Sequence, residues 1–424
     1  MSKENSFCYK LVALIMVLAL LVPVLAACGD DEEETATTPS TTTPVATTPT
    51  NTTPSATTPA ATAPTPTVSK DPVKIGVLCS WSGPAAQAGQ MFATPAISLV
   101  EYQLQKAGGI LGGRPVKFIT YDDGSSVAGT QGGFTKLVMN DKVSAIVMGG
   151  AMVSTLSASS ELAEKFKVPY FSISTTPPDI TDRPYTVRAG YPSGEKVYMQ
   201  IADFIVEQLK PNKVALLSDD LEDYHRFSAM MKSRLEDAGV KIVYDQFIGT
   251  AVTDFSPYIT RIKYEEPDVL VRLSSITPNF TNLLKQVKEL GGWGQMKFVS
   301  TTAAAITDPA TIAAAPPSGC YSWGLWAPGM NNPGSKQFEQ DFAESGIRGV
   351  PRYFAQGYMA IWGAIKAIEL AGIDDPEKVA QAARSGHLEW ESPAGLLQID
   401  TNGEMNLTGY IFAFKDGQLV LASE

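Results

Sequence analysis

The sequence predicts an α/β fold of two doubly wound parallel-sheet lobes, and three observations point there. From residue 72 onward, short apolar runs alternate with stretches of helical period. The apolar runs lack the in–out alternation of a half-exposed strand, as expected where helices cover both faces of a parallel sheet. The pattern also comes as two successive series, and the length of chain involved suits about two domains.

The first series opens with the strand VKIGVLC and the helix ISLVEYQLQKAGG. Ile97, Val100 and Leu104 recur there at helical spacing, and Gly108-Gly109 stops the run. Pro95 either starts this helix or kinks it. Next come strand VKFITYDD, helix TQGGFTKLVMND, strand VSAIVMGG, helix STLSASSELAEKF and strand VPYFSIS. The second series begins near residue 195 with helix EKVYMQIADFIVEQL, strand KVALLSDD, helix FSAMMKSRLEDAG and strand KIVYDQFI. It continues through helix FSPYITRIKY, strand DVLVRLSS, helix NFTNLLKQVKELG and strand KFVST.

In sheets of this kind ligands bind beyond the carboxyl ends of the strands. Those ends read SWSGP, GGAMVST and SISTTPP in the first series, then SDDLEDY, RLSSITPN and STTAAA in the second. Hydroxyls and bare backbone at helix starts suit polar or anionic oxygen. Ser and Thr at any one of these places also cap helices, so the argument rests on their recurrence. Arg272, at the end of DVLVRLSS, either faces the cleft and holds a carboxylate bidentately or is a strand-end arginine paired to a surface acid. Trp81, Trp323 and Trp326 either wall a ligand or pack the core and lobe interface.

The N-terminus is an address and a tether. Lys3 and Lys10 precede the apolar run LVALIMVLALLVPVLAA, which contains Pro23 and lacks a following stop-transfer pattern. Leu25-Ala26-Ala27-Cys28 then resembles a bacterial lipobox. Residues 1–27 accordingly read as a signal peptide with Cys28 lipidated, the alternative being an uncleaved anchor helix, and either way the bulk of the protein lies outside the cytoplasm. Residues 28–69 pair an acidic run with a Thr/Pro/Ala-rich stretch. Such composition buries too little apolar surface to order itself, and its reach is on the order of 100 Å.

The net charge of −11 argues against nucleic acid, which needs a basic footprint. Two histidines without clustered cysteines or carboxylates leave no transition-metal site, and no cofactor is expected. Of the four cysteines, Cys8 leaves with the signal and Cys28 takes the lipid. Cys79 and Cys320 remain, either bridged or packed as small hydrophobes.

Residues 72–420 resemble the branched-chain amino-acid (Leu/Ile/Val) binding proteins of ABC transporters. The likeness is carried by WSGPAAQAGQ, GGILGGRPVKFITYDD, FTKLVMNDKVSAIVMGG, VPYFSISTTPPDITDR, TDFSPYITRIKYEEPDVL, LLKQVKELG and YFAQGYMAIWGAIKAIELAG in that order. It implies the type I periplasmic-binding-protein fold, two lobes closing by a hinge on one small solute. The first lobe would hold 70–190 plus about 328–402, the second 191–327 plus about 403–424. It implies a lipid-anchored monomer on the outer side of the cell membrane, delivering its solute to an ABC permease driven by a separate ATPase.

By position, the resemblance assigns Ser154 and Thr155 to the loop that meets the ligand's carboxylate, and Ser174 and Thr176 to the neighbouring strand end. It assigns Tyr224 to a ligand-facing aromatic in the second lobe, and Arg188 to the hinge. Asp122-Asp123 match a structural pair. The sequence departs from the family where Ser275 and Thr302 stand for an aromatic and an acidic residue, and where Ala88 stands for a tyrosine. A buried α-ammonium needs a carboxylate, so these departures argue against a simple leucine-like zwitterion. They allow a neutral polar solute such as an amide, a carboxylate, or an amino acid whose ammonium is met by Asp219, Asp220 or Asp223. An enzyme is the main rival, but no G-x-S-x-G elbow, G-x-G-x-x-G or Walker loop occurs. A sensing domain reporting to a separate signalling partner is the other alternative.

Overall fold

The computed structural model describes residues 71–175, 179–274, 277–301, 313–314, 318–415 and 418–422. The α/β class expected from the sequence is present as two sheets with helices on both faces of each. The first lobe contains β1 (Val73–Cys79), α1 (Thr94–Ala107), β2 (Val116–Asp122), α2 (Val127–Met139) and β3 (Ala145–Met148). It continues with α3 (Val153–Phe166), β4 (Tyr170–Ser172) and β5 (Thr186–Arg188). Its strands form a five-stranded parallel sheet in the order β2-β1-β3-β4-β5.

The second lobe begins with α4 (Gly194–Phe204), β6 (Lys213–Asp219), α5 (Glu222–Asp237), β7 (Lys241–Ile248) and α6 (Ser256–Glu265). Then come β8 (Val269–Leu273), α7 (Thr277–Glu289), β9 (Lys297–Ser300) and β10 (Cys320–Gly324). After α8 (Pro333–Ser345), α9 (Pro351–Ala371), α10 (Pro376–Ala383) and the hairpin β11 (Leu388–Ser392)–β12 (Gly395–Ile399), the chain ends in β13 (Tyr410–Lys415) and β14 (Gln418–Leu421). The second sheet is seven-stranded, ordered β14-β13-β10-β9-β8-β6-β7. It is parallel from β7 to β10, and β13 and β14 are added antiparallel at the β10 edge.

The strands read as unbroken apolar runs because both of their faces are covered. In β1, Val73, Ile75, Val77 and Cys79 enter one core cluster while Leu78 enters another. In β6, Val214 and Leu216 point one way, and Ala215 and Leu217 the other. Pro95 sits in the first turn of α1, where a missing N–H costs nothing. A π-turn, Gly89–Ala93, leads into that helix. The helix ends at Gly108, left-handed at φ 77°, whose N–H returns to the carbonyls of Leu104 and Gln105.

After β10 the chain returns to the first lobe. Helix α9 packs on α1, β3 and β4, and its residues from Tyr353 to Ile368 are mostly buried. Helix α8 is tied to α1 through Asp341, which accepts from Gln103 Nε2 at 2.7 Å and Lys106 Nζ at 2.9 Å.

Among the described residues the chain passes between the sheets at 189–193, 325–332 and 400–409. These crossings hold one another. The Arg188 N–H donates to Gly403 O at 2.8 Å. Arg188 itself is fully buried, with Glu404 Oε1 3.3 Å from its Nη1. Trp323 Nε1 donates to Gln200 Oε1 at 3.0 Å and Thr408 O at 2.8 Å. Trp326 Nε1 donates to Ser335 Oγ at 2.7 Å. Trp323 and Trp326 are thus core anchors at the crossings, 2% and 4% exposed. Cys79 lies in the first sheet and Cys320 in the second, and both are free and buried.

Candidate functional site

The carboxyl ends of the first sheet form a wall of loops that hold themselves in place. After β1, Ser80 Oγ donates to Asp123 Oδ1 at 2.6 Å, and the Trp81 and Ser82 N–H groups donate to Asp122 Oδ1 at 2.9 and 3.1 Å. Burial pushes against the charge of Asp122, yet these bonds and the Gly124 N–H outweigh it and hold its carboxyl below the usual range. Asp123, 1% exposed, also accepts from Ser125 N–H at 2.8 Å and Thr130 Oγ1 at 3.2 Å. Both aspartates are therefore consumed in shaping the SWSGP turn. Trp81 Nε1 donates to Thr94 Oγ1 at 3.0 Å, and the ring lines an open cavity of about 370 Å³ with Ile97, Ser98, Thr120 and Asp122.

After β3, Gly149 and Gly150 take φ values of 79° and 108°, a region that favours glycine, and turn the chain into α3. Thr155 is fully buried and works as a brace. Its Oγ1 accepts from Ala151 N–H at 3.2 Å and Met152 N–H at 2.9 Å and donates to Met152 O at 2.8 Å. The neighbouring Ser154 is exposed, as are Met152 (39%) and Val153 (55%). The first turn of a helix carries unsatisfied N–H groups and partial positive charge, so this rim suits a carboxylate. After β4, the Ser174 N–H donates to Ser172 Oγ at 3.1 Å, and Ser172 also accepts from Tyr170 Oη at 3.2 Å.

The ends of the second sheet carry a different chemistry. Tyr198 on α4 and Tyr224 on α5 meet edge-on, with ring centroids 6.4 Å apart, and Tyr191 stacks at a tilt on Trp323 at 4.9 Å. Burial pushes the Tyr198 hydroxyl well above the ordinary tyrosine range, and Thr301 and Tyr224 hydrogen-bond with it. Tyr191 is raised for the same reason, burial. Thr301 Oγ1 accepts from the Ser274 N–H at 3.4 Å, and Ser274 Oγ donates to Asp219 Oδ2 at 2.6 Å. Beneath them Asp219 Oδ1 accepts from Arg272 Nη2, and both side chains are fully buried. Arg272 Nη1 donates to the carbonyls of Leu217 at 3.1 Å and Leu273 at 3.0 Å.

Arg272 therefore does not open on a cleft. Its side chain is fully buried, and Asp219, not a solute, is its carboxylate. Asp220 pairs with His225 Nε2 at 2.7 Å and Asp223 with Arg226 Nη2 at 3.4 Å. Tyr224, Ser154, Thr155 and Ser174 all lie at strand ends, Thr155 as the buried brace and Ser154 as the exposed hydroxyl. Cys28, Thr176, Ser275 and Thr302 lie outside the described residues. Sequence reading missed Tyr191, Tyr198, Ser274 and Thr301. Tyr191 follows the RAG crossing directly, which is the signal that could have found it, while Tyr198 lies on α4 among apolar residues. Among the described residues no group of three or more His, Cys, Asp or Glu could hold a metal ion.

A family model described as "Periplasmic binding protein" matches residues 72–418. The chain belongs to the periplasmic binding protein family. Among its relatives is the leucine-, isoleucine-, valine-, threonine- and alanine-binding protein of Pseudomonas aeruginosa, 28% identical over 345 residues, covering 80% of this chain and 88% of that protein. Two solved structures of periplasmic binding proteins share its fold. An ABC transporter substrate-binding protein from Sphaerobacter thermophilus aligns with a TM-score of 0.71 at 22% identity, over 83% of this chain and 96% of that one. An R. palustris ABC transporter solute-binding protein, solved with 4-hydroxybenzoate, aligns at 0.69 and 24% identity, over 83% and 95%.

Proposed function

We propose that this protein is the extracytoplasmic solute-binding component of an ABC importer and that its solute is a small carboxylate. Lipid on Cys28 tethers it to the membrane, the Thr/Pro/Ala-rich segment gives it reach, and it hands the solute to a permease served by a separate ATPase. It works as a monomer of two lobes, 70–190 plus about 328–402 and 191–327 plus about 403–424.

One observation carries the reading: the two walls differ in kind. The β3–α3 loop presents an exposed Ser154 hydroxyl and helix-start N–H groups braced by Thr155, suited to a carboxylate. Tyr191, Tyr198 and Tyr224 cluster at the ends of the second sheet, with Tyr198 and Tyr224 only 6% and 8% exposed, and their rings and hydroxyls suit the solute's body. That a relative takes aliphatic amino acids and a fold neighbour takes 4-hydroxybenzoate supports a carboxylate-bearing ligand.

The test is thermal unfolding of the chain against aliphatic and aromatic carboxylates, branched-chain and polar amino acids, amides and sugars. A carboxylate at a hundred times its Kd should stabilise by about 2.7 kcal/mol. A shift with sugars or amides alone would sink the carboxylate assignment.

A further inference from the structure

Three aspartates stand between the end of β6 and the first turn of α5, and each already has a base. Two of the pairs are half-exposed: Asp220 with His225 (59% and 52%) and Asp223 with Arg226 (29% and 35%). Water screens such pairs, and either acid can be drawn off at small cost. Glu222, also exposed, sits in the first turn of α5, where it complements the helix dipole.

The third pair is of another kind. Asp219 and Arg272 are both 0% exposed, and every link around them is internal. Arg272 bridges the β6 and β8 ends through the Leu217 and Leu273 carbonyls, while Ser274 closes the second oxygen of Asp219. From Ser274 the bonds run on to Thr301, Tyr198 and Tyr224, the wall assigned to the solute's body. Asp219 is thus joined to that wall through Ser274 and Thr301, and in so buried a place its charge would be felt there if nothing cancelled it.

We propose that Arg272 is the positioning residue that decides the charge of the solute: by neutralising Asp219 beneath the tyrosine wall, it makes the site select carboxylates without an amine over amino acids of the same skeleton. This rests on the carboxylate-binding reading above. The Coulomb energy lost with Arg272 is the attraction that an α-ammonium would gain. With Arg272 gone, Asp219 keeps its charge only where another cation pairs with it, which a zwitterion's ammonium supplies, and removing Asp219 leaves a net positive layer that disfavours one.

The experiment measures calorimetric affinities of the full chain for two matched pairs, 4-methylpentanoate against leucine and 3-phenylpropanoate against phenylalanine. Wild type should prefer the amine-free partner of the pair that fits. Arg272→Gln should shift the ratio toward the amino acid by at least about tenfold, and Arg272→Lys, which keeps the charge, should preserve the wild-type ratio. Asp219→Asn should shift it the other way, and this variant carries the test if Arg272→Gln does not fold. Mere structural damage weakens both partners together and leaves the ratio alone, so an unmoved ratio in the folded variants overturns the proposal. A wild type that prefers the amino acid overturns it too. If wild type binds none of the four, the carboxylate reading is at fault. The charge assignment then stands only if Arg272→Gln gains leucine or phenylalanine, and falls if it does not.

Discussion

Asp341→Asn tests how the segment after the second crossing is held to the first lobe. The Asp341 side chain is 4% exposed and accepts from Gln103 Nε2 at 2.7 Å, Gln337 Nε2 at 2.9 Å and Lys106 Nζ at 2.9 Å. Two of these donors lie on α1, more than 230 residues earlier in the chain. Asparagine keeps the shape and one acceptor oxygen but loses the charge that strengthens each bond. Hydrogen bonds to charged groups contribute about 1.5–3 kcal/mol each. Lys106 is half-exposed and adds little. With Gln103 and Gln337 each weakened and not abolished, the expected cost at pH 7 is about 1.5–3 kcal/mol. The pH dependence gives a second reading. Burial opposes the charge of Asp341, but the bonds from Gln103, Lys106 and Gln337 outweigh it, so its folded pKa lies below the usual range. Its contribution is therefore complete above the unfolded value of about 3.9 and is lost as pH falls through the folded one. Urea midpoints of wild type and variant should differ fully at pH 6–7 and converge below about pH 4. A gap under about 0.5 kcal/mol at pH 7, or one as large at pH 3 as at pH 7, would refute this account.

Thr155→Val removes the brace behind the Ser154 rim. It should cost about 0.5–2 kcal/mol by urea unfolding and weaken binding of the solute identified in the thermal screen, and unchanged affinity would take Thr155 out of the site. Glu404→Gln removes the carboxylate charge 3.3 Å from the fully buried Arg188 and should cost about 1.5–3 kcal/mol in the same assay, whereas a difference within error would show the crossings are held by other bonds. Burial pushes the Cys79 and Cys320 thiols up to about 12, so both should resist thiol reagents at pH 8 until the chain unfolds, and reductant should leave the melting temperature unchanged. Peptide mapping that found either thiol modified in the native protein would contradict that.

The parallel core was legible because its strands need apolar residues on both faces, and no local rule competes with that demand. What the sequence hid was shorter or depended on partners far away. Strand β5 is three residues, too few to show a pattern. The β11 strand does alternate, with Leu388, Trp390 and Ser392 buried and Glu389 and Glu391 out, but its sequence LEWES also suits a charged surface turn. Arg272 could not be placed from its neighbours, because the partner that fixes its role lies 53 positions away on β6. Tyr198 looked like one more apolar position on a helix. Only the fold brings Thr301 to its hydroxyl and makes it a polar residue of the strand-end layer. Ser154 and Thr155 were readable as a loop of hydroxyls, yet which of them braces and which faces outward depends on the turn made by Gly149 and Gly150.

A protein that captures a solute must also persist empty, and this constrains what its walls can hold. A charge left in a buried wall to await its ligand would destabilise the empty state by several kcal/mol. Here each buried aspartate of the strand ends is satisfied from within: Asp123 by Ser80, Ser125 and Thr130, Asp219 by Arg272 and Ser274. What remains for a visitor is the exposed Ser154 hydroxyl and helix-start N–H, groups that water can also serve, beside the tyrosine cluster. Such walls lose little when empty and recognise by shape and by oxygen placement. They contain no histidine poised against a nucleophile, since His225 stacks on Phe247 at the surface and is held by Asp220. The same internal pairing that satisfies the strand ends without a ligand thus leaves Arg272 and Asp219 as the place where a single substitution would change the field the solute meets.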